Sequence, residues 1–338
     1  MRVSELEEGA GVCTELVVRA VRTLDRRDGG ERLLLTLGDR TGSVPAIVLR
    51  ADEQTRAACG LGEVVRVTGA LELHPRYGRR LVVETIAALR HGEYDPGALS
   101  DGPARPAGQL EADLRELVAT VQDRDLRRLL AALLGEGSPT WARFRDAPAA
   151  KRYHQAYRHG LLEHSLTVAQ AVSAISATFP GIDRDIAVSG ALLHDIGKLD
   201  AYELRGEAIE MTDEGRLYGE IALGYHCVRS AIDALDGFPA ATAQALLHII
   251  LSHHGSLEHG SPVVPCTREA TIVHMIDNLG GRLGSFDRVE KGMPVGERWS
   301  PYDKVLGAGA YFAAGAGMAP GADAMPEAGV APARTRAA

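Results

Sequence analysis

The chain has 338 residues, a length that predicts about two domains. Its hydrophobic fraction of 45% and charged fraction of 24% are those of an ordinary globular protein, and they exclude a collagen, a coiled coil, a disulfide scaffold and wholesale disorder. The formal net charge of −8 is unlike that of a dedicated nucleic-acid binder, so a polyanion must bind at a local surface or through metal cations.

The cysteines and the apolar segments indicate the compartment. The four cysteines form no CxxC pair, which fits a reducing environment. The N-terminus has no apolar signal core, and no uncharged apolar run reaches the ~20 residues that a bilayer requires. We therefore expect a cytoplasmic protein without a membrane segment.

The N-terminal part has the pattern of a small β-barrel. Five short apolar-rich runs are separated by turn signals such as Asp28-Gly29-Gly30, and a helix-like stretch at 51–59 lies between the third and fourth runs. The runs are residues 12–21, 31–37, 43–49, 64–69 and 80–84. This order is that of an OB-fold, so we predict an all-β OB-fold barrel over residues 1–92.

The pattern changes after the barrel. Residues 93–108 are rich in Pro and Gly and predict a linker. From Gln109 onward the apolar residues recur with helical spacing, which predicts an all-α domain over residues 109–312. Residues 313–338 are mostly Ala, Gly and Pro without periodicity, which predicts a disordered tail.

Histidines concentrate in the helical part, where ten of the twelve lie between positions 154 and 274. Four places stand out because each puts a histidine or carboxylate on or at the end of an apolar helix. They are His164, the pair His194-Asp195, the pair His253-His254, and Asp277. Imidazole nitrogens and carboxylate oxygens suit Mn, Fe, Co or Zn, and such groups facing inward from separate helices form a metal site in a helix bundle.

Each of these residues also has a plain structural interpretation. A lone histidine on an apolar helix is more often a core or surface residue than a ligand, and His274 fits ligand, supporting and packing roles equally. The His194-Asp195 pair is different, because a charged pair closing an apolar helix is costly to bury without a partner.

Seven motifs together give a specific resemblance. They are residues 147–151 (Ala-Pro-Ala-Ala-Lys), 154–157 (His-Gln-Ala-Tyr), 160–164 (Gly-Leu-Leu-Glu-His), 193–198 (Leu-His-Asp-Ile-Gly-Lys), 251–255 (Leu-Ser-His-His-Gly), 258–262 (Glu-His-Gly-Ser-Pro) and 277–278 (Asp-Asn). In this order they resemble the YhaM-type 3′→5′ exoribonucleases, which couple an N-terminal OB-fold to an HD-superfamily phosphohydrolase domain. The resemblance covers roughly residues 10–310.

The resemblance implies a function and a set of site residues. It implies a phosphodiesterase that holds one or two divalent metals, Mn²⁺ first and Co, Fe, Ni or Mg as alternatives, and that releases nucleoside 5′-monophosphates from single-stranded RNA, with single-stranded DNA as a further candidate. The implied metal ligands are His164, His194, Asp195, His253, His254 and Asp277, with Glu220 as a candidate. Asp195 and Lys198 are the implied catalytic residues, and Lys198 also fits a solvated cation at a helix end.

The chain departs from the family at a few positions. His154-Gln155 stands where paired histidines are usual, and His159-Gly160 where Gly-Gly is usual. Glu220 stands where a ligand histidine is usual, and it is either a replacement ligand or a surface residue at a helix start.

The barrel carries a candidate surface for nucleic acid in its last hairpin. The residues are His74, Arg76, Tyr77, Arg79 and Arg80, and an exposed loop that is basic by chance is the equal alternative. Two other functions stay open: an HD phosphohydrolase of small nucleotides, and a nucleic-acid-binding factor with a degenerate HD site. We expect single-stranded RNA as the partner, no membrane, and leave a homo-oligomer open.

Overall fold

A computed structural model describes residues 1–25, 29–75, 78–99, 102–103, 105–151, 155–206, 208–294 and 296–317. It contains two compact units, Met1–Gly284 and a C-terminal unit that begins at Ser285. The first unit holds both the β-barrel and the helices that carry the histidine motifs. Among the described residues, no helix is both long enough and apolar enough to cross a bilayer.

The N-terminal strands close into a barrel in the order β1-β2-β3-β5-β4. The strands are β1 (Gly11–Asp25), β2 (Glu31–Asp39), β3 (Gly42–Ala51), β4 (Val64–His74) and β5 (Gly78–Ala88), with helix α1 (Glu53–Ala58) between β3 and β4. All pairings are antiparallel except β3 with β5, which closes the barrel in parallel. The OB-fold prediction is therefore confirmed, including its interposed helix.

The barrel forms because its strands alternate apolar and polar side chains. Leu16, Leu37 and Leu81 are fully buried inside it. A break in the β4–β5 register falls at Gly69, where a Cβ would lie only 2.1 Å from the carbonyl oxygen of Val82. The strands can approach this closely only because position 69 has no side chain.

The predicted linker is partly folded against the barrel. Helix α2 (Pro96–Leu99) buries Leu99 beside Val17 and Val64. The Ala98 carbonyl also accepts a hydrogen bond of 3.2 Å from the backbone N–H of Arg40. Part of the Pro/Gly-rich segment thus belongs to the surface of the barrel.

Helices make up most of the remainder, as the periodicity predicts. They are α3 (Ala107–Ala119), α4 (Arg124–Leu134), α5 (Trp141–Asp146), α6 (Gly160–Ser176), α7 (Arg184–Leu193), α8 (Lys198–Ala201), α9 (Asp213–Asp233), α10 (Ala240–Ser252) and α11 (Arg268–Lys291). Side-chain caps define several starts: Asp123 caps α4, Asp183 caps α7 and Thr212 caps α9.

Two hairpins accompany these helices, so residues 109–312 are not purely α-helical. The first pairs β6 (Tyr202–Arg205) with β7 (Ala208–Met211), and the second pairs β8 (Trp299–Asp303) with β9 (Ala308–Tyr311). Strands of four or five residues are too short for sequence periodicity to reveal. Of the predicted tail, residues 318–338 lie outside the described part, whereas Ala316 is buried and its N–H donates to the Glu297 carbonyl over 2.7 Å.

The helix core brings two chain segments with histidines together. At Gly190 of α7, a Cβ would lie 2.4 Å from the Ile249 side chain of α10, so glycine allows the two helices to pack very closely. Both helices end in a histidine, His194 after α7 and His253 after α10. Their close packing therefore places the two imidazoles side by side, with ring centroids 5.0 Å apart.

The barrel and the helical domain touch through two glycines. At Gly62, which precedes β4 and has φ of +82°, a Cβ would lie 1.7 Å from the Arg205 carbonyl oxygen of the β6–β7 hairpin. At Gly206 of that hairpin, a Cβ would lie 2.5 Å from the Gly62 carbonyl oxygen. The two backbones therefore meet directly, which leaves no room for a side chain at position 62.

Candidate metal centre

Three helices supply a compact group of metal-ligating side chains. His164 projects from α6, His194 caps α7 and Asp277 projects from α11. Their ligand atoms all lie within 4.8 Å of one another. The His164 Nε2 atom is 3.2 Å from His194 Nε2 and 3.1 Å from Asp277 Oδ1, and both histidines are buried.

Asp195 lies between this group and a second histidine. Its Oδ2 atom is 3.2 Å from His164 Nε2 and 3.3 Å from His194 Nε2. Its Oδ1 atom is 3.5 Å from His253 Nε2. Asp195 therefore turns one oxygen toward His164 and His194 and the other toward His253.

Hydrogen bonds at the far side of each ring orient the histidines. The Nδ1 atoms of His194 and His253 lie 2.8 Å from the carbonyl oxygens of Ala191 and Ile250, respectively, and a carbonyl can only accept. Each Nδ1 therefore carries the proton, and in the neutral ring Nε2 presents its lone pair to the centre. The buried His253 Nε2 has no hydrogen-bond partner among the described residues.

His164 has the same orientation through a side chain rather than the backbone. Its Nδ1 atom is 3.0 Å from Gln155 Oε1, the amide oxygen that can only accept. If both rings were neutral, the Nε2 lone pairs of His164 and His194 would face each other across 3.2 Å beside two carboxylates. This arrangement is repulsive unless a cation lies between the atoms, so the residues fit a divalent metal.

The pKa values show the same requirement for positive charge. Burial alone would lower the pKa of His164, but hydrogen bonds to Asp195 and Asp277 outweigh it and raise this pKa to about 9. Burial alone would raise the pKa of Asp195, but Lys198 and His194 hold it well below the usual value. The carboxylates are therefore ionised and attract cations, whether protons or metal ions.

Lys198 contacts the centre directly. Its Nζ atom donates to Asp195 Oδ2 over 2.6 Å, and only 15% of its side chain is exposed. Burial would lower the pKa of Lys198, but Asp195, Asp277 and Glu220 raise it, so the ammonium stays charged. The interpretation of Lys198 as a solvated helix-end cation is therefore wrong.

Glu220 faces His254, another of the predicted ligands. Its Oε1 atom is 3.5 Å from His254 Nε2, and the His254 Nδ1 atom is 2.9 Å from the His259 carbonyl oxygen. Gly219, with φ of +75° and ψ of 155°, breaks the helical geometry within α9 just before Glu220. The Glu220 carbonyl also packs on Gly197, where a Cβ would lie 1.9 Å away. Glu220 thus lies beside the His194–Lys198 segment and is not a free surface residue.

Two residues outside the predicted ligand set support the ligands. Gln155, which stands where the resembling family usually has a histidine, has a positive φ of 58° and orients His164. His274, whose role was open, bonds through Nδ1 to the His253 carbonyl over 2.8 Å. Its ring occupies the space beside Gly255, where a Cβ would lie 2.0 Å from it. His274 therefore positions the backbone of a predicted ligand and packs against it.

The predicted nucleic-acid residues of the barrel have partners within the chain. Arg80 pairs with Glu72 on the neighbouring strand, and Arg79 donates to the Leu6 carbonyl. His74 ends β4 and is half-buried. The other two predicted residues, Arg76 and Tyr77, lie outside the described residues. The charge of Arg80 is thus already compensated, and RNA binding by this hairpin stays a prediction.

The comparisons with known proteins support a hydrolytic enzyme with an HD domain. The HD domain family model matches residues 161–281, which include every predicted metal ligand. Over both domains, the chain is similar to the 3′-5′ exoribonuclease YhaM of Geobacillus sp. (strain WCH70), with 29% identity over 86% of this chain and 88% of the relative. The YhaM of Listeria monocytogenes serotype 4b (strain CLIP80459) is 28% identical over 88% of this chain and 93% of the relative.

These matches confirm the resemblance to the YhaM-type exoribonucleases that the motifs indicate. Among solved structures, the second OB-fold domain of replication protein A from Methanococcus maripaludis aligns with 27% of this chain and 94% of that chain, at 23% identity and a TM-score of 0.23. The fold of the barrel itself is defined by its strand order and by the position of α1.

Proposed function

We propose that this protein is a metal-dependent 3′→5′ exoribonuclease that releases nucleoside 5′-monophosphates from single-stranded RNA. The observation that carries the proposal is the convergence of buried Nε2 atoms and carboxylate oxygens in an HD domain that follows an OB-fold barrel. Similarity to YhaM enzymes over both domains supports a polymeric substrate over a free nucleotide.

The residues fall into two groups that share Asp195. His164, His194 and Asp277 surround one position together with Asp195 Oδ2. The second group is His253, His254 and Glu220, toward which Asp195 turns Oδ1. We therefore propose two ions. A divalent metal held by these residues would lower the pKa of a coordinated water and offset charge on the phosphodiester.

Glu220 bears on the identity of the metal. An anionic oxygen in place of a neutral nitrogen favours harder ions, so we propose Mn²⁺ ahead of Zn²⁺ or Co²⁺. The facing of Glu220 and His254 supports a ligand pair and speaks against a degenerate site.

The chain itself contributes charge and orientation. Lys198 keeps Asp195 ionised through a bond of 2.6 Å, and its ammonium has two further N–H donors for a phosphate oxygen. Backbone carbonyls hold His194 and His253 in the tautomer that ligates metal, so these rings need no reorganisation when the substrate arrives.

The barrel, in this proposal, holds the strand upstream of the cleaved bond. OB-folds bind single strands through a cationic groove and stacked bases, and here His74, Arg79 and Arg80 lie in the last hairpin. Four unpaired cysteines among the described residues fit a cytoplasmic enzyme, in which thiols stay reduced.

A labelled digest tests the function. Single-stranded RNA labelled at the 5′ end should shorten one nucleotide at a time with Mn²⁺, and the same RNA labelled at the 3′ end should lose its label as a mononucleotide at once. EDTA should stop both reactions, and matched DNA measures the sugar preference. Internal cleavage by the metal-loaded protein, or hydrolysis of free nucleotides alone, would contradict the proposal.

A further inference from the structure

The C-terminal unit exposes an unusual number of aromatic rings on one small hairpin. Of the chain's two tryptophans, nine tyrosines and five phenylalanines, three lie on the β8–β9 hairpin and face solvent. Trp299 is 63% exposed, Tyr302 is 71% exposed and Tyr311 is 43% exposed. The other tryptophan, Trp141, is buried in the helical core.

The strand register places all three rings on the same face. Trp299 is paired with Tyr311, Tyr302 is paired with Gly309, and the register shifts between the two pairs. Paired residues share a face, and so do positions 309 and 311, which are two apart on one strand. The register shift therefore brings Trp299 and Tyr302 to one side although they are three residues apart. Gly309 leaves the space opposite Tyr302 without a side chain.

The opposite face fixes the hairpin in place. Ala310 is buried, and its N–H donates to Ser300 Oγ over 2.8 Å. Arg288, near the end of α11, pairs with Asp303 over 2.6 Å. The rings of Phe286 and Phe312 meet edge to face at 6.4 Å. The aromatic face is thus displayed by an ordered support, which limits the entropy lost when a ligand binds.

Cations accompany the rings. The Arg298 guanidinium lies 5.0 Å from the centre of the Tyr311 ring, in a cation–π arrangement. Lys304, at the turn of the hairpin, is exposed. Exposed rings with a cation at each end are complementary to a nucleotide, because its base can stack on a ring and its phosphate can pair with a cation.

We propose that the Trp299–Tyr302–Tyr311 face is a stacking platform for single-stranded RNA, separate from the OB-fold barrel. The proposal rests on the function proposed above for the choice of RNA over other polyanions. It assigns to the C-terminal unit a binding role, in which successive bases stack on the exposed rings and Arg298 and Lys304 contact the phosphates.

Tryptophan fluorescence offers a direct test in the full-length protein. Because Trp141 is 5% exposed and Trp299 is 63% exposed, quenching by a ligand base reports on Trp299. With EDTA present to prevent hydrolysis, a ten-nucleotide oligoadenylate should quench the emission, and an abasic oligomer of equal charge should not. Trp299→Leu should remove the quenching and weaken binding at least about fivefold in fluorescence anisotropy.

Phe179→Leu is the matched control, because Phe179 is 58% exposed and belongs to the other unit. It should change neither the affinity nor the quenching. Equal quenching by the abasic oligomer, or unchanged affinity in Trp299→Leu, would overturn the platform. If Trp299→Leu changes the oligomeric state in light scattering but keeps its affinity for RNA, the platform is also overturned, and the aromatic face is a protein interface. The labelled digest is independent of these outcomes, so failure of the platform and failure of the exoribonuclease are distinguishable.

Discussion

The buried pair between Asp195 and Lys198 makes a quantitative prediction about stability and activity together. Asp195 is 2% exposed and accepts from Lys198 over 2.6 Å. Asp195→Asn removes the negative charge and leaves a buried ammonium beside imidazoles. Breaking a buried pair in this way costs about 3–5 kcal/mol, so we expect the metal-free variant to lose about this much unfolding free energy.

The double variant Asp195→Asn/Lys198→Met separates the two roles of the pair. Without the ammonium, no unpaired charge is buried, so the double variant should recover most of the lost stability. Activity should not recover, because the proposed metal ligand Asp195 is still missing and such a loss costs at least about tenfold in rate. Lys198→Met alone should be destabilised like Asp195→Asn, since it leaves the carboxylate without its closest cation.

Urea unfolding in EDTA, followed by far-UV circular dichroism of the helical transition, measures the four free energies of this cycle. The mononucleotide release assay gives the matching rates. Stability losses of Asp195→Asn and Lys198→Met that simply add, with a coupling below about 0.5 kcal/mol, would refute the buried pair. Recovery of turnover in the double variant would refute Asp195 as a ligand.

Three further predictions follow from other contacts. Glu220→Ala should weaken Mn²⁺ binding about 10- to 100-fold in a calorimetric titration. Glu220→His should keep activity and shift the metal preference toward softer ions. Unchanged metal affinity in both variants would place Glu220 outside the site. Gly62→Ala should lower the free energy of unfolding more than Gly78→Ala, because both positions have positive φ but only a Cβ at position 62 would meet the Arg205 carbonyl, at 1.7 Å. The backbone strain common to both variants costs about 1–3 kcal/mol. Equal losses of stability in thermal unfolding would argue against the contact. Cys59 should resist alkylation in the native protein while the exposed cysteines react, because burial raises the pKa of its thiol to about 11; rapid labelling at neutral pH, read by mass spectrometry, would contradict this.

Local patterns in the sequence determined the elements and the candidate ligands. Apolar-rich runs between turn signals predict each barrel strand, and helical spacing predicts the helices that follow Gln109, because burial of one face imposes a period on a helix. The His194-Asp195 pair was recognisable for a similar local reason, since a charged pair at the end of an apolar helix requires a partner.

The tertiary structure alone decided how these groups meet. Only the close packing of α7 and α10 at Gly190 brings His194 beside His253, and only the fold shows that Lys198 binds Asp195. The register shift that aligns Trp299 with Tyr302 is likewise invisible in a run of five residues. Such relations join residues that are distant in sequence or depend on backbone geometry, and neither leaves a period or a spacing that the chain by itself can display.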